Sequence, residues 1–371
     1  MCQPIGLYLH IPFCRGQRKC PYCDFYSLPF DEDLADAYTT GLVAAIKTHP
    51  FGRLRADTLY LGGGTPSLLG SRRLSEILQV AVHTFGLDKD SEITLEANPE
   101  TVSPALLAQL RREGYNRISF GVQSFDTGEL SALGRTHSPK AAQEAVLAAQ
   151  AAGFDNVSAD LMLATPGQSA RSLSHSIQLL SRLPLTHISA YLLKLEPDAP
   201  MAQKKAALPS EDTAADLYSQ CVDELVSAGF AQYEISNFAR LGCESRHNLK
   251  YWRREPYLGL GPAAHSFLNG QRFFFPPHLE HFLEGRPFDQ IQHEPPSPAV
   301  EEELMLRLRL SEGFDTAMLP PYGVDPSPLL KKAWQLAAHG LCRVEGGVVS
   351  LSAQGFLLSN SITAELLAEL R

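Results

Sequence analysis

Leu7-Tyr8-Leu9-His10-Ile11-Pro12-Phe13-Cys14-Arg15-Gly16-Gln17-Arg18-Lys19-Cys20-Pro21-Tyr22-Cys23 runs a short apolar strand straight into a loop with three cysteines. The chain has seven, and Cys14, Cys20 and Cys23 crowd together here. Met1 to Gly6 lacks the basic start and apolar core of a signal peptide, and no stretch approaches the ~20 apolar residues of a membrane span. A cytoplasmic protein is expected. In a reducing compartment, clustered thiols point to metal or redox chemistry more than to disulfides. Thiolates suit zinc or iron–sulfur clusters. Three of them can hold three corners of a 4Fe–4S cube and leave one iron open, and Arg15, Arg18 and Lys19 would offset its charge. A structural zinc site needs a fourth ligand, for which His10 is the candidate. On the cysteines alone both readings stay open.

Outward from this loop, β-type runs alternate with helical patterns. Strands are expected at Gly6–His10, Thr58–Leu61, Glu92–Ala97, Arg117–Val122, Val157–Met162 and His187–Leu192. Leu34, Tyr38, Leu42 and Ile46 make one apolar helical stripe. Ser103-Pro104 reads as a cap and first helical residue, with Leu106, Leu107 and Leu110 facing inward. Ala141–Ala152 and Ser172–Leu183 read as further helices. Repeated βα units imply a parallel sheet, here a partial (β/α)6 TIM-like barrel in the α/β class. Near residue 297 the texture changes, after Pro295-Pro296. Helices at Val300–Leu310 and Leu329–Leu341, a hairpin over Val344–Leu351 and a last helix to Arg371 suggest a small helical, winged-helix-like domain. The expected divisions are a core barrel at 1–240, a barrel extension with a Pro-rich linker at 241–297, and the C-terminal domain at 298–371.

The 371 residues are 44% hydrophobic and 20% charged, which excludes a disordered chain. Net charge is −9, and residues 301–371 hold six Lys or Arg against nine Asp or Glu. Nucleic acid is therefore not an expected partner, despite the winged-helix look.

Ligands of parallel sheets and barrels bind at the C-terminal strand ends. The second strand ends in Gly62-Gly63-Gly64-Thr65-Pro66, where missing Cβ atoms let backbone N–H groups approach a ligand. The third ends near Glu96-Ala97-Asn98, the fourth in Gln123, and the fifth carries Asp160. With the three-cysteine loop, these features resemble the radical S-adenosylmethionine (SAM) superfamily, in the branch of oxygen-independent coproporphyrinogen oxidases (HemN) and heme chaperones (HemW). The likeness extends through Gly134-Arg135-Thr136-His137, Asp160–Gln168, Tyr233–Ala239, His247–Trp252 and Gly355–Asn360.

The resemblance implies that Cys14, Cys20 and Cys23 ligate a 4Fe–4S cluster whose open iron chelates SAM. It places Tyr8 and Tyr22 against SAM or the cluster, and Gly63, Gly64 and Thr65 at the methionine end. Glu96 would take the ribose, with Gln123, Arg135 and Asp160 completing the SAM site. Two departures stand out. The family spacing Cys-x3-Cys-x2-Cys is here Cys-x5-Cys-x2-Cys, and the usual Gly-Leu-Pro after the fifth strand is Ala164-Thr165-Pro166.

Within the branch, the oxidases carry a fourth Cys where this chain has Phe25, and a longer lead before the first strand. Arg246-His247-Asn248-Leu249-Lys250-Tyr251-Trp252-Arg253-Arg254 is similar to the His-Asn-x-x-Tyr-Trp motif of heme-binding members. It implies heme contact through His247, Asn248, Tyr251 and Trp252, with His247 as iron ligand or, alternatively, the Cys243 thiolate. Arg246, Lys250, Arg253 and Arg254 are candidates for the propionates. His10 and His137 are expected to line the cluster pocket, and His265 to lie near the barrel mouth. The bland alternative packs His247 in the core, with Tyr251 and Trp252 beside Tyr257. The expected function is a heme chaperone delivering heme to acceptor hemoproteins, membrane-bound ones by transient docking included. Coproporphyrinogen III oxidation, or another radical tetrapyrrole reaction, is the rival.

Overall fold

The computed structural model describes residues 3–16, 19–197, 199–203 and 208–370. Arg18 and Cys2 lie outside the described residues. Six parallel strands follow one another across the sheet: β1 (Ile5–Ile11), β2 (Ala56–Gly63), β3 (Glu92–Ala97), β4 (Arg117–Gln123), β5 (Asn156–Leu163) and β6 (His187–Leu192). Each covers its expected run and extends it by at most two residues at either end. Crossover helices α1 (Glu32–Thr48), α2 (Gly70–Phe85), α3 (Pro104–Glu113), α4 (Pro139–Ala151) and α5 (Ala170–Arg182) lie between them.

Local chemistry sets these helices. Asp31, Ser103, Ser138 and Ser169 each accept a first-turn N–H, which satisfies a donor that would otherwise go unpaired. Pro104 and Pro139 occupy first-turn positions that need no N–H. The α1 stripe buries Tyr38, Leu42 and Ile46 completely. Leu107 and Leu110 of α3 are likewise buried, whereas Leu106 is only half-buried.

The sheet does not stop at six strands. After α6 (Glu211–Ser227), β7 (Ala231–Gln232) and β8 (Asn237–Ala239) add an antiparallel edge beside β6. Helix α7 (Arg246–Trp252) follows. Then β9 (Tyr257–Leu260) returns parallel to β1, and β10 (His265–Leu268), β11 (Gln271–Phe274) and β12 (Gln292–His293) extend the sheet antiparallel. The twelve strands end at β7 and β12, so the barrel is partial.

The tail comprises α8 (Ala299–Arg307), α9 (Pro326–Ala338) and α10 (Ser359–Ala368). Cys342–Glu345 and Val348–Leu351 pair as a hairpin, with Phe314–Asp315 as a third strand. Gly346 and Gly347 turn it at φ +58° and +89°, values glycine adopts without strain. One apolar core runs from barrel to tail, taking in Leu304, Leu308 and Phe314. No described helix is long and apolar enough to cross a membrane.

Candidate functional site

The C-terminal strand ends open into a cavity of about 950 Å³. Cys14, Cys20, Tyr22 and Cys23 line it from the loop after β1, and Gly63, Gly64 and Thr65 from the end of β2. Glu96 comes from β3, Gln123 from β4, Arg135 from beyond β4, and Asp160 from β5. All the residues expected around SAM except Tyr8 thus meet on one surface.

The cysteines turn tightly, with the Cys23 N–H donating to the Cys20 carbonyl at 3.0 Å. Burial pushes the Cys23 thiol up to about 11; Cys20 and Cys14 add to the rise and Lys19 opposes it. The three sulfurs therefore feel one another electrostatically, and a metal that displaces their protons relieves that cost. Among the described residues, no three Cys, His, Asp or Glu side chains converge on a single ion. His10 is spent as a fourth ligand: Nδ1 lies 2.9 Å from Tyr8 Oη and Nε2 2.9 Å from the Tyr26 carbonyl oxygen. Zinc demands four ligands within ~2.0–2.3 Å of one centre. A cubane takes one thiolate per iron, and the donor set fits that demand. When bound, such a cluster with SAM supplies one-electron cleavage of a sulfonium bond.

The chain's own residues fix the surroundings. Tyr60 donates to Glu96 Oε1 at 2.7 Å, and the Gly63 N–H donates to Oε2 at 3.1 Å. Burial raises the Glu96 carboxyl to about 7, with Asp160 adding to the rise. Asp160 is also raised by burial, against hydrogen bonds from Ser189 and Ser119 and the nearby Arg135 and Arg117. Arg135 donates to Asn98 Oδ1 at 3.0 Å and leaves its buried Nε unpaired among the described residues. Gln123 holds φ +68° at a register break in β4, a strained conformation that recurs at binding sites. Ala164 holds φ +57°, with its N–H donating to Gln168 Oε1 at 2.7 Å. The loop thus bends into the left-handed region that the usual glycine enters freely.

Several expectations need correction. The N–H groups of Gly63, Gly64 and Thr65 bond Glu96, Ile11 and Phe13, so this turn offers a ligand close approach rather than free donors. His137 does not line the cavity. Its Nε2 bonds the Val122 carbonyl and its Nδ1 faces Glu100, which does line it. Asn98, Ser119 and Gly121 line the cavity but were not assigned to it. Strand alternation was the available signal, since Ser119, Gly121 and Gln123 share one face.

A second cavity, about 600 Å³, lies beside the first. Tyr8, His10 and Tyr26 line one side, Tyr251 and Trp252 of α7 another, and Met305 and Leu306 of α8 a third. Tyr8 belongs here, with its hydroxyl on His10. Phe25 lines both cavities.

Helix α7 sits against the starts of β1 to β3, where the backbone N–H groups of Arg246 and His247 donate to Glu92 at 3.0 Å each. His247 is fully buried, with Nδ1 2.8 Å from Thr58 Oγ1 and Nε2 2.7 Å from Tyr251 Oη. Its ring stacks on Tyr60, and burial lowers its pKa to about 3. Neither nitrogen has a lone pair facing a cavity, so direct iron ligation by His247 is not what this geometry provides. Asn248 and Cys243 line neither cavity. The four cations are also committed: Arg246 and Lys250 to Asp57, Arg253 to Glu312, Arg254 to Glu302. Tyr251 packs edge-on to Tyr257 at 4.5 Å, as the bland alternative had it, yet it and Trp252 still reach the second cavity.

Comparison with known proteins bears on these cavities. Residues 8–180 match the radical SAM superfamily, and residues 296–358 match the HemN C-terminal domain. A Bacillus subtilis (strain 168) protein named heme chaperone HemW is 34% identical, over 98% of this chain and 99% of its own. Its Escherichia coli (strain K12) namesake is 33% identical, over 99% of each. The chain belongs to the HemW family. Its fold is the α/β radical SAM fold. The structure described as coproporphyrinogen III oxidase (HemN) from Escherichia coli, a radical SAM enzyme, superposes with TM-score 0.83, covering 98% of this chain and 90% of that one. At 22% identity that likeness concerns fold alone. The radical SAM match implies a 4Fe–4S cluster and SAM.

Proposed function

We propose that the chain is a heme chaperone that holds a 4Fe–4S cluster and SAM in the first cavity and heme in the second, and passes heme to acceptor hemoproteins. The names of its relatives set the direction. The observation that carries the reading is the second cavity, which is mostly apolar and aromatic. Its volume of about 600 Å³ lies inside the ~300–1,000 Å³ range of ligand clefts. Tyr251 and Trp252 offer flat apolar surface for a porphyrin face. Cys14, Cys20 and Cys23 would hold the cluster. Tyr22, Gly63, Gly64, Thr65, Glu96, Gln123, Arg135 and Asp160 would surround SAM.

The cavity opens between barrel and C-terminal domain, where an acceptor can dock. The proposal extends to an acceptor in a membrane, approached transiently from the cytoplasm. Phe25, exposed at the rim where the oxidases have a further cysteine, supports the chaperone over the oxidase.

The test is hemin binding by the full chain, followed by transfer to an apo-cytochrome. Stoichiometric binding, weakened at least tenfold by Trp252→Ala, is expected. Absence of heme binding, or anaerobic conversion of coproporphyrinogen III with SAM and a reductant, would overturn the reading.

A further inference from the structure

We propose that Tyr60 is a positioning residue of the SAM site: its hydroxyl sets the Glu96 carboxylate for the nucleotide, and His247 of α7 holds its ring from behind. This rests on the reading above that Glu96 faces SAM in the first cavity, and assigns what holds Glu96 there.

Tyr60 lies on β2 and lines neither cavity. Its hydroxyl donates to Glu96 Oε1 at 2.7 Å, while the Gly63 N–H donates to Oε2 at 3.1 Å. Two donors from one strand therefore fix the plane of a carboxylate carried by the next, and leave its remaining lone pairs to the cavity it lines. Gly62 makes room for this meeting, since a Cβ there would lie 2.9 Å from Tyr60 Cε1 and 3.1 Å from Glu96 Oε1. Thr58 and Tyr60, two residues apart on β2, share one face. His247 uses both, with Nδ1 2.8 Å from Thr58 Oγ1 and its ring stacked on that of Tyr60 at 5.2 Å. Helix α7 is thus joined to the first cavity by one ring and one hydroxyl.

Burial raises the Glu96 carboxyl, and the Tyr60 hydrogen bond is the largest influence against that rise. Of the other groups facing it, Asp160 on β5 adds to the rise, and the Gly63 N–H and Arg117 on β4 oppose it. Tyr8 on β1 and Tyr251 on α7 also feel the Glu96 charge. Burial pushes their hydroxyls, and that of Tyr60, well above the usual tyrosine range. The Tyr60 hydroxyl is therefore a donor at every working pH, and losing it removes a bond made to the ionised carboxylate.

The experiment is SAM binding to the anaerobically reconstituted full chain, by equilibrium dialysis between about pH 6 and pH 9. Each variant is read as a ratio to wild type, which cancels the titration of SAM's own amino group. Tyr60→Phe keeps the ring and deletes the donor. It should move the Glu96 midpoint up by about one pH unit, making binding about fivefold weaker at pH 7 and within about twofold of wild type at pH 9. A merely structural role would lower affinity by one factor at every pH. His247→Ala should give a smaller loss of the same form, and add nothing to Tyr60→Phe in the double variant. A Tyr60→Phe ratio that is flat with pH overturns the assignment while SAM binding stands, and losses that add in the double variant overturn the part given to His247. Wild-type protein that binds no SAM, or Glu96→Gln that binds it as tightly as wild type, overturns the reading of the first cavity itself.

Discussion

Acid should weaken this fold through His247, and the size of the effect follows from its burial. Neutral His247 is held between Thr58 and Tyr251, beside the ring of Tyr60, with Lys250 and Arg117 nearby disfavouring a proton. Its folded pKa is about 3 against 6.5 ordinarily. Below 6.5 the unfolded chain takes up a proton that the folded chain refuses. This stabilisation is therefore complete above 6.5 and is lost as pH falls towards 3. Each pH unit removes ~1.4 kcal/mol, so ~2 kcal/mol is gone by pH 5 and about 4–5 kcal/mol by pH 3. His247→Gln keeps a donor and an acceptor but cannot titrate. Near neutral pH it should be less stable than wild type by ~1–3 kcal/mol, because Thr58 and Tyr251 are less well paired. Towards pH 5 that deficit should shrink by about 2 kcal/mol. Urea unfolding followed by circular dichroism at several pH values measures both. Parallel curves for the two proteins would refute the buried neutral imidazole.

Replacing any one of Cys14, Cys20 or Cys23 with Ala should abolish iron and sulfide uptake on anaerobic reconstitution while leaving thermal unfolding nearly unchanged; retained stoichiometric iron would remove that cysteine from the site. SAM affinity of the reconstituted protein, measured by equilibrium dialysis, should rise as pH climbs through 7 and Glu96 ionises. Glu96→Gln should weaken binding about tenfold, roughly 1.4 kcal/mol, and flatten that dependence. Ala164→Gly should shift stability by less than ~1 kcal/mol in a thermal scan, because relief of the left-handed φ is offset by loss of a buried methyl packed in the core. Ser103→Ala should cost ~1 kcal/mol by removing the hydroxyl that accepts the Leu106 N–H.

The barrel was legible because each parallel strand is buried on both faces and written as an apolar run, and because Ser-Pro caps mark the helices. Helix α2 escaped notice: its start, Gly70-Ser71-Arg72, has none of the usual capping pattern. The outer strands β7 to β12 are short and irregular, and only their pairing partners make them strands. The cysteine loop and the Glu96, Gln123 and Asp160 strand ends could be read from spacing. What could not be read was which neighbours each side chain would find. His247 sits in a motif whose chemistry suggests ligation, yet Thr58, far away in sequence, supplies the hydroxyl that occupies its nitrogen. The family resemblance implies Tyr8 against SAM or the cluster. Strand β1 turns it instead towards Tyr251 and the second cavity.

The imidazole of His10 is the partition between the two chambers. On one side, a Cβ placed on Gly63 would fall 2.5 Å from that ring, and on the other the same ring faces the aromatic hollow. On the proposed reading, a guest that nudged the Gly63 turn would push against His10, and a porphyrin pressed on His10 would push back on the turn. Linkage makes the exchange symmetrical: whatever factor the nucleotide imposes on tetrapyrrole affinity, the tetrapyrrole returns in equal measure. On that reading a single flat ring, pinned at both nitrogens, is all that would stand between the two guests.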